Sequence, residues 1–223
     1  MQRFRRAGFT IIELMIVLAI AAALAAVAYP NWRRMNDNLR LREGARGLAN
    51  ALSFARQQSV NAERAHLVFY QTGVATDQCG NGIPSPVAVL DDVNGNCCFD
   101  PGEEVRLYMT DTAIQQTIGW GINNAAGPVP EDTGGGAFAT GSTFLDNGGN
   151  PVTHVGFRPD GVPVTFDNTC TPGQIGTGGG GFYFTNARAG VALTARRDMA
   201  VVLSPLGTSK VYLWNNGTGA WTQ

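Results

Sequence analysis

The chain has 223 residues, is 44% hydrophobic and 15% charged, and carries a formal net charge of −1. This length can support one good-sized core or two small ones. Near-neutrality excludes a global electrostatic pull toward nucleic acid, and no nucleophile elbow, phosphate loop or HExxH string is present to suggest an enzyme.

The N-terminus opens with three arginines, Arg3, Arg5 and Arg6, followed by an apolar run. Among the 20 residues from Phe9 to Ala28 only Thr10 and Glu13 are polar. As a helix that run is roughly 30 Å long, enough to cross a bilayer core. A carboxylate near one end of such a helix costs on the order of a few kcal/mol, so Glu13 needs a partner or a purpose. A secretory signal peptide, cut after the small residues Ala26 to Ala28, explains the arginines and the apolar run but not Glu13. A plain membrane anchor with its arginine end in the cytoplasm has the same gap.

Beyond Pro30, whose ring would kink or locally melt the helix, a helical pattern resumes. Leu41, Ala45, Leu48, Leu52, Ala55 and Ser59 follow alternating spacings of four and three. They form one stripe of small and apolar residues, the face a helix lays on a sheet. Between Asn31 and Arg64 seven arginines stand against Asp37, Glu43 and Glu63, whereas from Ala65 onward six basic residues meet thirteen acidic ones. A basic stem therefore carries an acidic head, a complementarity that could help subunits stack.

The remainder reads as short strands separated by turn-rich loops: residues 65–72, 86–92, 104–109, 152–157, 162–166, 181–186, 199–204 and 210–215. His66 and His154 fall in these strands, where a packed histidine is the usual explanation. The glycine- and proline-rich stretches Gly127 to Ser142 and Thr171 to Gly181 read as loops with freedom to move rather than as domain linkers. No repeat of useful period is apparent. Four cysteines lie beyond the apolar run: Cys79, Cys97, Cys98 and Cys170. If that run exports the chain downstream of it, disulfides persist there. A bond between neighbours Cys97 and Cys98 is the least favourable pairing, leaving Cys79 joined to one of them and Cys170 to the other.

Two local patterns suggest binding. From Asp92, oxygen-bearing side chains fall at the first, third, fifth, ninth and twelfth places: Asp92, Asn94, Asn96, Asp100 and Glu103. That is the spacing of a calcium loop. It departs from that pattern at the sixth place, where Cys97 replaces the turn glycine, and a hairpin turn at Asn94-Gly95 is the simpler reading. Near the C-terminus Arg188, Arg196, Arg197 and Lys210 form a basic group able to contact phosphate, or simply a solvated face.

The residues Gly8-Phe9-Thr10-Ile11-Ile12-Glu13-Leu14 resemble the type IV prepilin motif. The resemblance implies cleavage on the cytoplasmic side between Gly8 and Phe9 by a prepilin peptidase, and N-methylation of Phe9. It also gives Glu13 a partner, the terminal ammonium of a neighbouring subunit, which fixes register in the fibre core. Three further segments resemble the GspH/FimT-type minor pilins and pseudopilins: Ala51 to Tyr70, Val155 to Phe166, and Met199 to Trp214 with its turn glycine Gly207.

The implied fold is α+β, the type IV pilin fold. A long N-terminal helix, half transmembrane and half amphipathic, packs on an antiparallel sheet or sandwich head. Its parts are a leader (1–8), a transmembrane and fibre-core helix (9–29), a stem (30–64) and a periplasmic head (65–223). The implied function is structural: a minor subunit that helps start a type IV pilus at or near its tip, or the equivalent type II secretion pseudopilin. The presence of Glu13 argues against the tip-most pseudopilin type. Its partners would be other pilins or pseudopilins, the peptidase and an inner-membrane assembly platform. The chain would span the inner membrane once before entering the fibre. The resemblance implies no cofactor, and calcium enters only through the loop above. Some FimT-type pilins bind DNA through C-terminal basic residues, which makes the second pattern a DNA-binding alternative.

Overall fold

A computed structural model describes residues 10–70, 76–77, 79–83, 85–167, 169–188 and 196–223. The chain divides into two units, Met1–Asn38 and Leu39–Gln223.

Helix α1, Ile11–Ala62, is continuous and contains Pro30. The expected local melting at Pro30 does not occur. The alanine-rich turns before it are strong helix formers, and one missing amide costs about 3 kcal/mol, too little to break a long ladder. In the first unit Ile11, Ile12, Leu14, Met15 and Ile16 are all exposed, and the segment is long and apolar enough to cross a membrane. At its far end the Arg33 guanidinium lies 5.4 Å from the centre of the Tyr29 ring.

The second unit begins inside α1. Leu41, Ala45, Leu48, Leu52, Ala55 and Ser59 are each no more than 1% exposed, so the stripe read from the sequence is the buried face. Gly44 lets the helix approach closely, because a Cβ there would collide with Ile118.

Two five-stranded antiparallel sheets receive this face. The first is built from β1 (His66–Tyr70), β2 (Val87–Asp91), β3 (Glu104–Tyr108), β5 (His154–Phe157) and β6 (Pro163–Val164), in the order β3-β2-β1-β5-β6. The second contains β4 (Ile118–Trp120), β7 (Gly180–Asn186), β8 (Asp198–Leu203), β9 (Ser209–Asn215) and β10 (Ala220–Thr222), in the order β10-β9-β8-β7-β4. Val68, Tyr70, Val87 and Val89 of the first sheet share one core with Phe182, Phe184, Val201 and Leu203 of the second and with the helix stripe. The architecture is thus the α+β pilin fold, a long helix packed on antiparallel sheets.

The strands are short because their ends are defined by local chemistry. Met109 takes a positive φ of 58° and ends β3. β6 keeps only two residues, since Phe166 leaves the ladder to bridge Pro172. Four short elements carried no clear sequence signal: α2 (Thr112–Gln115), β4, a 3₁₀ turn at Phe138–Thr140, and β10.

Both outer sheet faces are covered, which is why β1, β7 and β8 are buried along their whole length. Leu67, Phe69, Leu90, Phe99 and Phe166 form a second core outside the first sheet, and Val129, Tyr183, Val202 and Tyr212 a third outside the other. The glycine-rich segment 127–142 belongs to that third layer rather than moving freely. The Tyr183 hydroxyl donates to Asp132 Oδ2 at 2.6 Å, and the Thr143 hydroxyl donates to the same carboxylate at 2.9 Å. A Cβ at Gly134 would overlap Thr143.

Candidate functional site

The N-terminal motif reaches the described residues at Thr10; Gly8 and Phe9 lie outside them. Thr10 Oγ1 accepts a hydrogen bond from Glu13 N at 3.3 Å, and the Thr10 carbonyl accepts from Leu14 N at 3.2 Å. Thr10 therefore caps α1, and Glu13 stands at the third helical position, the place it takes in the Thr-x-x-Glu capping-box sequence pattern. A carboxylate there also complements the positive end of the helix dipole. This supplies a purpose for Glu13 within one chain, which the sequence reading missed although Thr10-x-x-Glu13 is its standard signature.

The acidic loop gathers all five residues singled out by spacing and binds them to one another. Asp92 Oδ1 accepts from the amides of Gly95 (3.0 Å) and Asn96 (3.1 Å). Asn94 and Asn96 point their side-chain amide nitrogens at Asp100 Oδ2, at 2.8 and 2.7 Å. Their side-chain oxygens accept from the backbone of Asn96 and Cys98. Glu103 Oε1 accepts from the amides of Val93 and Asn94, while Oε2 is buried without a partner among the described residues. The Asn96 and Asn94 amides hold the Asp100 carboxyl below its ordinary range. Desolvation, with Asp92 and Asp100 adding repulsion, pushes that of Glu103 up.

Two disulfides frame the loop, Cys79–Cys98 and Cys97–Cys170, with Cα separations of 5.9 and 5.4 Å. The sulfurs near Asp77 and Asp92 are therefore oxidised and are not thiolate ligands.

The same loops contain a repeated device that a search for a fixed period cannot find. The strings DQCGN (77–81), DVNGN (92–96) and DNGGN (146–150) share one spacing, and DNTCT (167–171) is a variant. In three of them the Asp amide donates to the carbonyl four residues on: Asp77 to Asn81 (2.9 Å), Asp146 to Asn150 (2.9 Å) and Asp167 to Thr171 (3.1 Å). The aspartate carboxylate accepts from the amide of that same fourth residue in all three. The residue before the last sits at positive φ: Gly80 at 83°, Gly149 at 81°, Cys170 at 59°. A bridge closes each turn: Thr76 with Gly82, Leu145 with Pro151, Phe166 with Pro172.

Beneath this cap lies His154, 2% exposed, stacked on Phe69 with ring centres 5.0 Å apart and facing Phe166 at 6.1 Å. Neither ring nitrogen has a hydrogen-bond partner among the described residues. Burial lowers its pKa to about 4, opposed by the charge of Asp77, so the ring is neutral.

The C-terminal basic group is divided. Lys210 pairs with Val202 in the β8–β9 ladder, and Arg197 precedes β8 at its other end, where its carbonyl accepts from Asn186 N. Arg188 and Arg196 flank residues 189–195, which lie outside the described set. At the start of β8 the buried Asp198 accepts from three consecutive amides, Asn123, Asn124 and Ala125, and so holds the segment after β4.

Residues 3–29 match the prokaryotic N-terminal methylation motif. The chain is type IV prepilin-like. The match ends in the apolar helix, so nothing in it speaks to the head of this prepilin-like chain. No curated protein and no solved structure gave a match. The motif implies a prepilin peptidase and other pilins as general partners, and the apolar N-terminal helix, the one such helix among the described residues, fits a membrane anchor.

Proposed function

We propose that this chain is a minor type IV pilin, a structural subunit rather than an enzyme, which helps start the fibre and sits at or near its tip. The observation that carries this reading is the methylation motif at 3–29 running directly into a helix whose second half packs on a two-sheet head. The minor-pilin assignment draws support from the meeting of the three GspH/FimT-like segments. Arg56 of the helix donates to the carbonyl of Gly207 in the β8–β9 turn, and the Gly161 turn of β5–β6 lies against both. Export of the head to an oxidising periplasm agrees with two disulfides. Glu13 then pairs with the terminal ammonium of a neighbour on assembly. The type II secretion pseudopilin is the second reading, favoured by the same contacts.

Intact mass and N-terminal sequencing of protein extracted from membranes, made with a prepilin peptidase, test this. A mature chain starting at N-methylated Phe9 is the expected result. A start at Tyr29 would make the segment an ordinary signal peptide and overturn the proposal.

A further inference from the structure

The cysteines follow the order Cys79, Cys97, Cys98, Cys170, and the bonds join the first to the third and the second to the fourth. The pair is interlaced. Joining the cysteines in the order they occur would instead give Cys79–Cys97 and Cys98–Cys170. Each loop of that isomer differs in length from its native counterpart by one residue. Loop-closure entropy changes only with the logarithm of length, so it does not separate the two isomers.

The folded cap is what tells the two neighbours apart. Asp77 ties the chain beside Cys98 to the Cys79 turn: its Oδ1 accepts from Cys79 N at 2.9 Å and its Oδ2 from Phe99 N. Asp92 Oδ2 accepts from Cys97 N at 3.3 Å. The same cap closes the bonds to later exchange. Cys97 and Cys98 are 0% and 4% exposed. Each bond also has a carboxylate oxygen within 4.8 Å of both sulfurs, from Asp77 beside Cys79–Cys98 and from Asp92 beside Cys97–Cys170. Negative charge there repels an attacking thiolate. A pairing error must therefore be corrected before the cap forms.

We propose that this chain is a substrate of a thiol–disulfide isomerase, which converts the isomer with Cys79–Cys97 and Cys98–Cys170 into the native pair. A head that follows its anchor across a membrane emerges in chain order, so Cys79 meets Cys97 and Cys98 before Cys170 arrives. A dithiol oxidase of that compartment takes two electrons and two protons for each bond and is itself reduced. The isomerase thiolate then attacks the Cys79 sulfur, forming a mixed disulfide and releasing the Cys97 thiolate. Cys97 attacks the Cys170 sulfur and releases the Cys98 thiolate. Cys98 attacks the Cys79 sulfur of the mixed disulfide, and the isomerase leaves as the thiolate it began as. No electrons are gained or lost in the rearrangement. The inference rests on the exported-subunit reading and names one partner in its maturation.

Reduced, unfolded full chain, diluted into detergent micelles with a dithiol oxidase, tests the proposal with and without a disulfide isomerase. Pairing is read by digestion and mass spectrometry, with fragmentation between Cys97 and Cys98. The oxidase alone should leave at least half of the chains mispaired, and the isomerase should bring nearly all of them to the native pair. Native pairing in nine-tenths of the chains without isomerase overturns the proposal, since the chain's own thiols would then suffice. A mispaired fraction that the isomerase leaves unchanged overturns it as well. Cys79→Ala with Cys98→Ala leaves one bond to make, which should form at the same rate with or without the isomerase. Acceleration of that single bond would mark a general folding aid and overturn the rearrangement. Purified chain refolds without export, so failure here leaves the pilin reading standing.

Discussion

Arg56 Nη1 donates to the Gly207 carbonyl across 3.2 Å and 151 positions of sequence. Gly207 takes a positive φ of 82°, and a Cβ there would stand 3.0 Å from the Gly161 carbonyl oxygen and 3.1 Å from Arg56 Nε. One guanidinium thereby touches a turn from each sheet.

Gly207→Ala is expected to destabilise the protein by about 1–3 kcal/mol, through backbone strain and the displaced arginine. Arg56→Ala should cost a similar amount, about 1.5–3 kcal/mol for a charged hydrogen bond. Combining them should cost less than the sum, since both remove one contact. Urea unfolding of the single and double variants measures this.

His154 makes stability depend on pH. Its folded pKa of about 4 lies below the ordinary histidine value of 6.5, so the unfolded chain binds a proton that the folded chain refuses. The stability it permits is complete above about pH 6.5 and falls as pH drops toward 4, by at most about 3 kcal/mol. His154→Leu should flatten this part of a plot of melting temperature against pH and leave melting at pH 7.5 unchanged or higher. An equally steep decline in the variant would place the acid sensitivity elsewhere.

The two disulfides close loops of different length, with sequence separations of 19 and 73. In the chain-entropy account, removing Cys97–Cys170 should cost about 1 kcal/mol more than removing Cys79–Cys98. Paired Cys→Ala variants compared in denaturant test the order.

Thr10 and Glu13 can be separated by substitution. Thr10→Val should fray the first turn of α1, costing about 1 kcal/mol locally, while Thr10→Ser should not. Glu13→Gln keeps a side chain that serves a capping box, so amide exchange at Ile12 to Leu14 should stay near wild type while fibre assembly fails. Normal assembly of Glu13→Gln would mean that the cap, and not the charge, is what the position requires.

The acidic loop satisfies itself. With Asn94 and Asn96 presenting amide nitrogens to Asp100, millimolar calcium is expected to leave the melting temperature of the full chain unchanged. A rise of several degrees would assign the loop a calcium ion.

What could be read from the sequence was local. The segment Gly8 to Leu14 spells out a motif in seven adjacent residues, and the stripe from Leu41 to Ser59 has the period of a helix. The strand around Val68 is an aliphatic and aromatic run, and the one around Val201 carries two adjacent valines. The remainder depends on contacts distant in sequence. Gly134 looks like freedom until Thr143 is placed beside it, and Asp198 looks like a strand-end charge until three amides of residues 123–125 converge on it. β4 and β10 have three residues each, too few to show alternation, and exist because β7 and β9 offer open edges. The Asp-x-x-Gly-Asn turns were visible as strings but not as a pattern, since they recur at irregular intervals.

The neighbours Cys97 and Cys98 belong to different disulfides, which has a mechanical consequence. A pull on the two chain ends travels from Cys79 to Cys98, across one peptide bond to Cys97, and on to Cys170. The stretch between, about 90 residues and roughly 300 Å of extended chain, carries no tension. Under load the molecule can lengthen only through its helix, its first strand and its last three long strands. The residues enclosed by the two bonds, His154 among them, stay out of the line of force.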